Sequence, residues 1–232
     1  MPTQVVEDYL DQIYLMQQNG QRVIGARLAE RMHTAVPTVT ETLRRMVRED
    51  LVELDPHKEV SLTAKGKEAA ETLIRRHALS ERLLTDILGL SWVEAHAEAH
   101  KFEHIISPKV EARLMALLGN PNTCPHGNPI PGLAAAEPPR GHALSQVEHP
   151  GNYAIVRVSE DAENDVGLMA YIEQHNLKPG TTLRWIEREP FEGPVVVEVT
   201  GERYTLGAQV AEAIFVADGA YPLDNEVKVS LT

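Results

Sequence analysis

The chain has 232 residues, 43% of them hydrophobic, with a formal net charge of −12, a size that suits one large domain or two small ones with real cores. No apolar run approaches the roughly 18 residues of a membrane span and no basic-then-apolar leader opens the sequence, so the expectation is a chain neither membrane-spanning nor secreted. Cys124 is the single cysteine, which excludes a disulfide within the chain and suits a reducing cytoplasm.

The acidity lies mainly in the C-terminal part. Residues 142–232 hold 6 Lys+Arg against 15 Asp+Glu, a net of −9, whereas residues 1–66 hold 8 against 10, a net of −2. A phosphate backbone senses local field, so the N-terminal part remains free to present a basic face.

In chain order, residues 5–18 (VVEDYLDQIYLMQQ) place Val6, Leu10, Ile13, Tyr14 and Gln17 on one face and predict an amphipathic helix that NGQ ends. GARLAERM predicts a short helix with Leu28 and Met32 inward, and HTAVP a turn. TVTETLRRMVREDLV predicts a third helix with Val39, Leu43, Met46 and Val47 inward, Thr34 as its cap and Pro37 at its start, where proline is tolerated. LVELDPHKEVSLTAKG alternates apolar and polar residues about DPHK and predicts a β-hairpin. Helix, short helix, turn, helix and hairpin is the order of a winged helix-turn-helix.

One long helix is expected over residues 63–88, another over about 91–106, and a third from SPKVEARLMALLG. NPNTCPHGNPIPG carries too many prolines and glycines for helix and reads as a rigid connector, with Cys124 as loop packing and His126 as structural. A looser stretch continues to about 151. Short β-rich runs with glycine turns then predict a small barrel, with a short helix at DVGLMAYIEQHN. Trp92 and Trp185 read as core anchors.

The stretch HAEAHKFEH, residues 96–104, gathers three of the ten histidines. On a helical wheel His96, His100, Glu103 and His104 fall within roughly a 100° arc, while Glu94 and Glu98 fall opposite. His77 and Glu81 share a face of the preceding helix at i,i+4 spacing. Helices joined by LGLS would lie antiparallel and bring the two stripes together. Burying so many ionisable groups unpaired is costly, so a shared cation is expected; a mixed N/O set suits manganese, iron, zinc, cobalt or nickel.

RRHALSERLLTDILGLSWVEAHAEAHKFEHIIS resembles the metal-sensing and dimerisation region of the diphtheria toxin repressor family of iron- and manganese-dependent regulators. VPTVTETLRRMVREDLVEL resembles its recognition helix and CPHGNPIPG its connector, over about residues 5–133; the C-terminal segment resembles the family's SH3-like domain more weakly. The resemblance implies two neighbouring metal sites. His77, Glu81 and His96 match one. His100, Glu103 and His104 match the other, with Asp8 added from the first helix, where iron-type members carry methionine. Asp11 matches a carboxylate of manganese-type members. Position 100 departs from the family: His100 stands where iron-type members have cysteine and manganese-type members glutamate. Asp165 or Glu163 is the candidate for a contact from the SH3-like domain.

The implied fold is mainly α with β: a winged helix-turn-helix DNA-binding domain at 1–66, a helical metal-binding and dimerisation domain at 67–133, a linker at 134–150 and an SH3-like β-barrel at 151–232. The implied function is that of a dimeric, metal-dependent transcriptional regulator, a repressor of metal-uptake genes and not an enzyme, in which a divalent ion orders the first helix and licenses binding to a palindromic double-stranded operator. Mn2+ is favoured, Fe2+ is next, and Zn2+, Co2+, Ni2+ or Cd2+ are expected to bind in vitro. Two recognition helices would then be spaced for successive major grooves, about 34 Å apart. Pro37, Thr38 and Thr40 would face base edges, and Arg27, Arg44, Arg45, Arg48 and Lys58 phosphates. Two alternatives are carried: a winged-helix regulator of an organic ligand, and a helical di-metal enzyme, which EAHKFEH approaches without a symmetric partner.

Overall fold

The computed structural model describes residues 3–133 and 141–219. The chain divides into two compact units, Met1–Arg76 and His77–Thr232. Among the described residues no helix is long and apolar enough to cross a membrane.

In the first unit α1 (Gln4–Gln18), α2 (Gly25–Arg31) and α3 (Val36–Arg48) pack with the hairpin of β1 (Val52–Leu54) and β2 (Val60–Leu62) around Leu10, Ile13, Leu28, Val39 and Met46. The face of α1 is rotated slightly from the expected one: Tyr9 and Met16 are buried, whereas Gln17 is exposed and Tyr14 only half-buried. On α3, Val39, Leu43 and Met46 are buried but Val47 is exposed. The helix begins one residue later than a Thr34 cap requires. Ala35 occupies the cap position without a side-chain bond, and Pro37 lies in the first turn, where a missing N–H costs nothing. The hairpin pairs Val52 with Leu62 and Leu54 with Val60, and Asp55 closes its turn by accepting the N–H groups of His57 and Glu59 at 2.8 and 2.7 Å.

α4 (Ala64–Arg82) leads from the first unit into the second and does not continue regularly to residue 88. It passes into one π-helical turn, Leu83–Ile87, directly after Glu81 and Arg82. Such turns interrupt helices where a side chain takes up a backbone group, often at functional sites. Here the Thr85 hydroxyl donates to the Glu81 carbonyl at 2.8 Å.

α5 (Trp92–Phe102) starts with a reciprocal capping box between Ser91 and Glu94. It ends at Phe102, so Glu103 and His104 stand on a turn just past its last residue. No helix could run through Ser107, since the residue before proline is driven out of the helical region, and Ser107 caps α6 (Pro108–Leu117).

The C-terminal part forms an antiparallel six-stranded sheet in the order β3-β8-β4-β5-β6-β7, from β3 (His142–Ala143), β4 (Gly151–Val158), β5 (Thr182–Arg188), β6 (Val195–Val199), β7 (Glu202–Leu206) and β8 (Ile214–Asp218). α7 (Glu160–Glu163), α8 (Val166–Gln174) and α9 (Ala208–Ala213) complete it around Leu144, Ile155, Met169, Ile172, Leu183 and Val197. The sheet is SH3-like but open: β3 and β7 are its edges, and they do not pair among the described residues. Residues 142–147, within the stretch expected to be loose, supply β3 and the buried Leu144 and Val147.

Residues 120–133 are not a spacer. Cys124, His126, Asn128 and Ile130 are all buried. The His126 carbonyl accepts from Val158 N–H at 2.8 Å, Cys124 N–H donates to the Asn128 carbonyl at 2.9 Å, and Arg82 grips the Thr123 carbonyl at 2.9 Å. Gly127 makes this packing possible. Its φ is +84°, and a Cβ there would stand 2.2 Å from the Val156 carbonyl oxygen.

Candidate metal centre

α4 presents His77 and Glu81 one turn apart, and α5 presents His96 and His100 in the same way. The rings of His77, His96 and His100 lie with centroids 4.6–5.0 Å apart. Glu81 Oε1 is 3.0 Å from His77 Nε2 and 2.9 Å from His96 Nδ1. Glu163, at the end of α7 in the sheet-bearing part, adds a carboxylate: Oε2 is 4.0 Å from His96 Nδ1. One donor atom from each of His77, Glu81, His96 and Glu163 falls within 4.8 Å of all the others.

His77 looks two ways. Its Nδ1 is 2.5 Å from Glu103 Oε2 while Nε2 faces Glu81, so one imidazole joins two carboxylates. Glu103 Oε1 lies 3.3 Å from His104 Nε2 and 3.5 Å from His100 Nδ1. His100 is exposed and stands with both groups, through its ring contacts to His77 and His96 and through Glu103. Asp8 and Asp11 are half-buried on α1 of the first unit, where Asp11 accepts from Gln12 at 3.0 Å.

A third group was missed in the sequence. Glu81, Cys124 and His126 are each buried and bring one donor atom apiece within 4.8 Å. His126 is 1% exposed; its Nδ1 is 3.1 Å from Glu163 Oε1 and 3.6 Å from Glu81 Oε2, yet neither ring nitrogen meets a hydrogen-bond partner in bonding geometry. A buried unpartnered imidazole beside a thiol and two carboxylates is a donor set suited to a divalent ion. The spacing C-x-H in a proline-rich loop was the one available signal. Of the two residues named for a contact from the SH3-like part, Glu163 faces the cluster. Asp165 instead caps α8 through Leu168 N–H at 3.0 Å and accepts from Gln209.

The electrostatics are those of a site built for positive charge. Burial alone would lower the basicity of His77, but the Glu81 and Glu103 carboxylates raise its pKa well above the usual histidine range. Burial acts on His126 in the same direction, and Glu81 and Glu163 override it. Glu81 is held well below the ordinary carboxylate value by His126 and His77 against its burial, and Glu103 is lowered to about 2 by His100 and His77. The imidazoles thus stand in for a cation that carboxylates of this density require.

The predicted DNA-facing residues all lie in the first unit. Pro37, Thr38, Thr40, Arg44 and Arg48 are exposed on α3, Arg27 on α2 and Lys58 in the hairpin turn. Arg45 differs from them: half-buried, it pairs with Glu49 at 2.7 Å and donates to Thr3 at 3.3 Å. Arg44 stands 3.8 Å from Glu41.

Residues 1–60 match the profile of the iron dependent repressor N-terminal DNA binding domain, residues 63–132 that of the iron dependent repressor metal binding and dimerisation domain, and residues 142–218 that of the FeoA domain. The iron-dependent repressor IdeR of Mycobacterium leprae is 36% identical over 221 residues, 90% of this chain and 95% of that protein. The chain belongs to the diphtheria toxin repressor family. Among solved structures, a manganese-dependent transcriptional repressor in complex with manganese matches this family member with a TM-score of 0.81 and 32% identity, covering 92% of this chain and 99% of the other. ScaR with bound Cd2+ matches with a TM-score of 0.77 and 30% identity, covering 94% and 100%. These relatives of the diphtheria toxin repressor family member are metal-dependent repressors that bind DNA, not enzymes.

Proposed function

We propose that this chain is a dimeric, metal-dependent transcriptional repressor of metal-uptake genes, acting in the cytoplasm on a palindromic double-stranded operator. The observation that carries the reading is the convergence of His77, Glu81, His96 and Glu163 from α4, α5 and α7 within 4.8 Å, in a chain whose amino-terminal unit has a winged helix-turn-helix. We assign the metal ligands to Asp8, Asp11, His77, Glu81, His96, His100, Glu103 and His104, and add Glu163, Cys124 and His126. The ion recruits Asp8 and Asp11, fixes the first helix and so sets the spacing of two reading heads. Manganese is the proposed physiological ion because Asp8 and Asp11 add hard carboxylate oxygens to the set; the Cys124 thiol and the five histidines make Fe2+ the competitor. A coupling of roughly 1–3 kcal/mol between metal and operator is typical of such linkage and changes affinity about 5–150-fold.

Pro37, Thr38 and Thr40 are assigned to base edges, and Arg27, Arg44, Arg48 and Lys58 to phosphates. The functional boundaries we propose are 1–66, 67–133, 134–150 and 151–232, with residues 142–147 of the connecting segment packing into the sheet domain. Pairing of two copies is supported by apolar surface on and beside α5 and α6, where Ile105 is 77% exposed and Phe102, Val110 and Leu117 are also exposed.

The test is a fluorescence-anisotropy titration of a promoter fragment at fixed free Mn2+, Fe2+ and Zn2+. Manganese is expected to tighten binding most. His104→Ala and Asp8→Ala should abolish the metal response and keep non-specific binding; an unchanged response in both would refute the ligand assignment.

A further inference from the structure

The first two turns of α3, residues 36–42, carry a single charged side chain, and it is negative. The Glu41 side chain is 71% exposed. At 100° per residue, Pro37, Glu41, Arg44 and Arg48 fall within roughly a 60° arc, opposite the buried Val39, Leu43 and Met46. The carboxylate therefore sits in the middle of the face assigned to DNA, with the arginines further along the helix. Beside it, Val36 and Pro37 present only carbon, and Thr40 turns its hydroxyl back to the Val36 carbonyl at 2.9 Å. The ion pair with Arg44 spans 3.8 Å with both partners more than two-thirds exposed, a contact of little worth to the helix. Phosphates repel a carboxylate on this face, so its place there calls for a group in the groove that donates to it.

We propose that Glu41 is a specificity-determining residue whose carboxylate accepts from the 4-amino group of one cytosine in each half of the operator and rejects the other three bases at that position. The inference rests on the repressor reading above and deepens it, from double-stranded DNA to a base within it. In the major groove only cytosine and adenine present an amino donor. Adenine sets its amino group beside the N7 acceptor, a pair that suits an amide, which both donates and accepts. A carboxylate only accepts, and it meets the N7 lone pair as a like charge. Cytosine sets its amino group beside a C–H. Guanine and thymine turn O6, N7 and O4 to the groove, acceptors that repel the carboxylate. The choice is thus as much exclusion as attraction. Arg44, 3.8 Å from the carboxylate, offsets its repulsion from the neighbouring phosphates.

The test is a selection of duplexes from a randomised library by the full-length, Mn2+-loaded chain and by its Glu41→Ala and Glu41→Gln variants. The unsubstituted chain should fix cytosine at one symmetry-related position in each half-site. Glu41→Ala should lose the preference at that position alone, and Glu41→Gln should move it to adenine. Fluorescence anisotropy on the selected duplex gives a second reading. Replacing that cytosine by 2-pyrimidinone, which lacks the 4-amino group, should weaken the unsubstituted chain roughly tenfold and Glu41→Ala by under about twofold. Both variants should bind unrelated DNA more tightly than the unsubstituted chain, because a repelled charge is gone. The same base preferences in all three proteins, or an equal loss on 2-pyrimidinone with and without the carboxylate, would overturn the assignment and leave the repressor reading standing. Failure of the unsubstituted chain to select any duplex with Mn2+, Fe2+ or Zn2+ would refute the repressor reading and the assignment with it.

Discussion

Gly127→Ala isolates what holds the Cys124–His126 loop in place. Gly127 and Gly201 have nearly the same backbone conformation, φ +84° and +88°. At Gly201 an added Cβ meets nothing within 4 Å, whereas at Gly127 it meets the Val156 carbonyl oxygen at 2.2 Å and the Arg157 Cα at 2.9 Å. Both substitutions incur the left-handed strain of about 1–2 kcal/mol. Only Gly127→Ala also forces the loop off β4, with loss of the buried bond from Val158 N–H to the His126 carbonyl, about 1–3 kcal/mol more. At roughly 2–4 °C per kcal/mol for a chain of this size, Gly201→Ala should lower Tm by about 2–8 °C and Gly127→Ala by about 4–20 °C. Differential scanning calorimetry in chelator gives the stability, and a cobalt–thiolate absorption band gives the site, which only Gly127→Ala should lose. Equal Tm losses with the band intact in both would refute the claim that this backbone crossing positions Cys124 and His126.

The remaining expectations concern protons, caps and phosphates. His77 and His126 have raised pKa values, so the stability they contribute is full below about 6.5 and is lost as pH rises through those values; the chelated protein should show a falling Tm across the neutral-to-alkaline range, and a rising one would contradict the pairing. Glu103, at about 2, works in the opposite sense: its contribution is present above about 4.5 and is lost as pH falls toward 2, giving an acid limb in the same Tm series. Asp165→Ala removes the cap of α8 and should lower stability by about 1 kcal/mol in urea titrations while leaving Mn2+ affinity unchanged; a loss of Mn2+ affinity would return Asp165 to the ligand set. Arg44→Ala and Arg48→Ala should each reduce the slope of log affinity against log salt by about one, whereas Arg45→Ala should chiefly lower Tm, because Arg45 is tied to Glu49 and Thr3.

The helices of the first unit and the histidine stripe were legible because helical period is local: Val39, Leu43 and Met46 announce α3, and His77, Glu81, His96 and His100 fall on facing turns. What was not legible depends on contacts between distant residues. The loop over 120–133 reads as a rigid connector from its prolines, yet its burial is decided by Val158 and Arg82. Cys124 therefore looked like filler. The choice between Glu163 and Asp165 was equally invisible, since it depends on which of two neighbouring carboxylates α8 takes for its cap. The π turn after Arg82 has no composition signal at all; the Thr85 hydroxyl that accompanies it is compatible with an ordinary helix.

Trp92 opens α5, yet its side chain belongs to the sheet's hydrophobic core, its backbone N–H is held by Glu173 of α8 at 3.0 Å, and its ring meets His126 edge-on at 4.5 Å. The SH3-like part is therefore not a detachable accessory. A shortened chain ending near residue 133 would expose an indole, free the first turn of α5 and unseat His96 along with it. Lineages that shed this portion would have to rebuild the start of that helix, and chimeras made by exchanging it should be cut so that Trp92 travels with its acceptor.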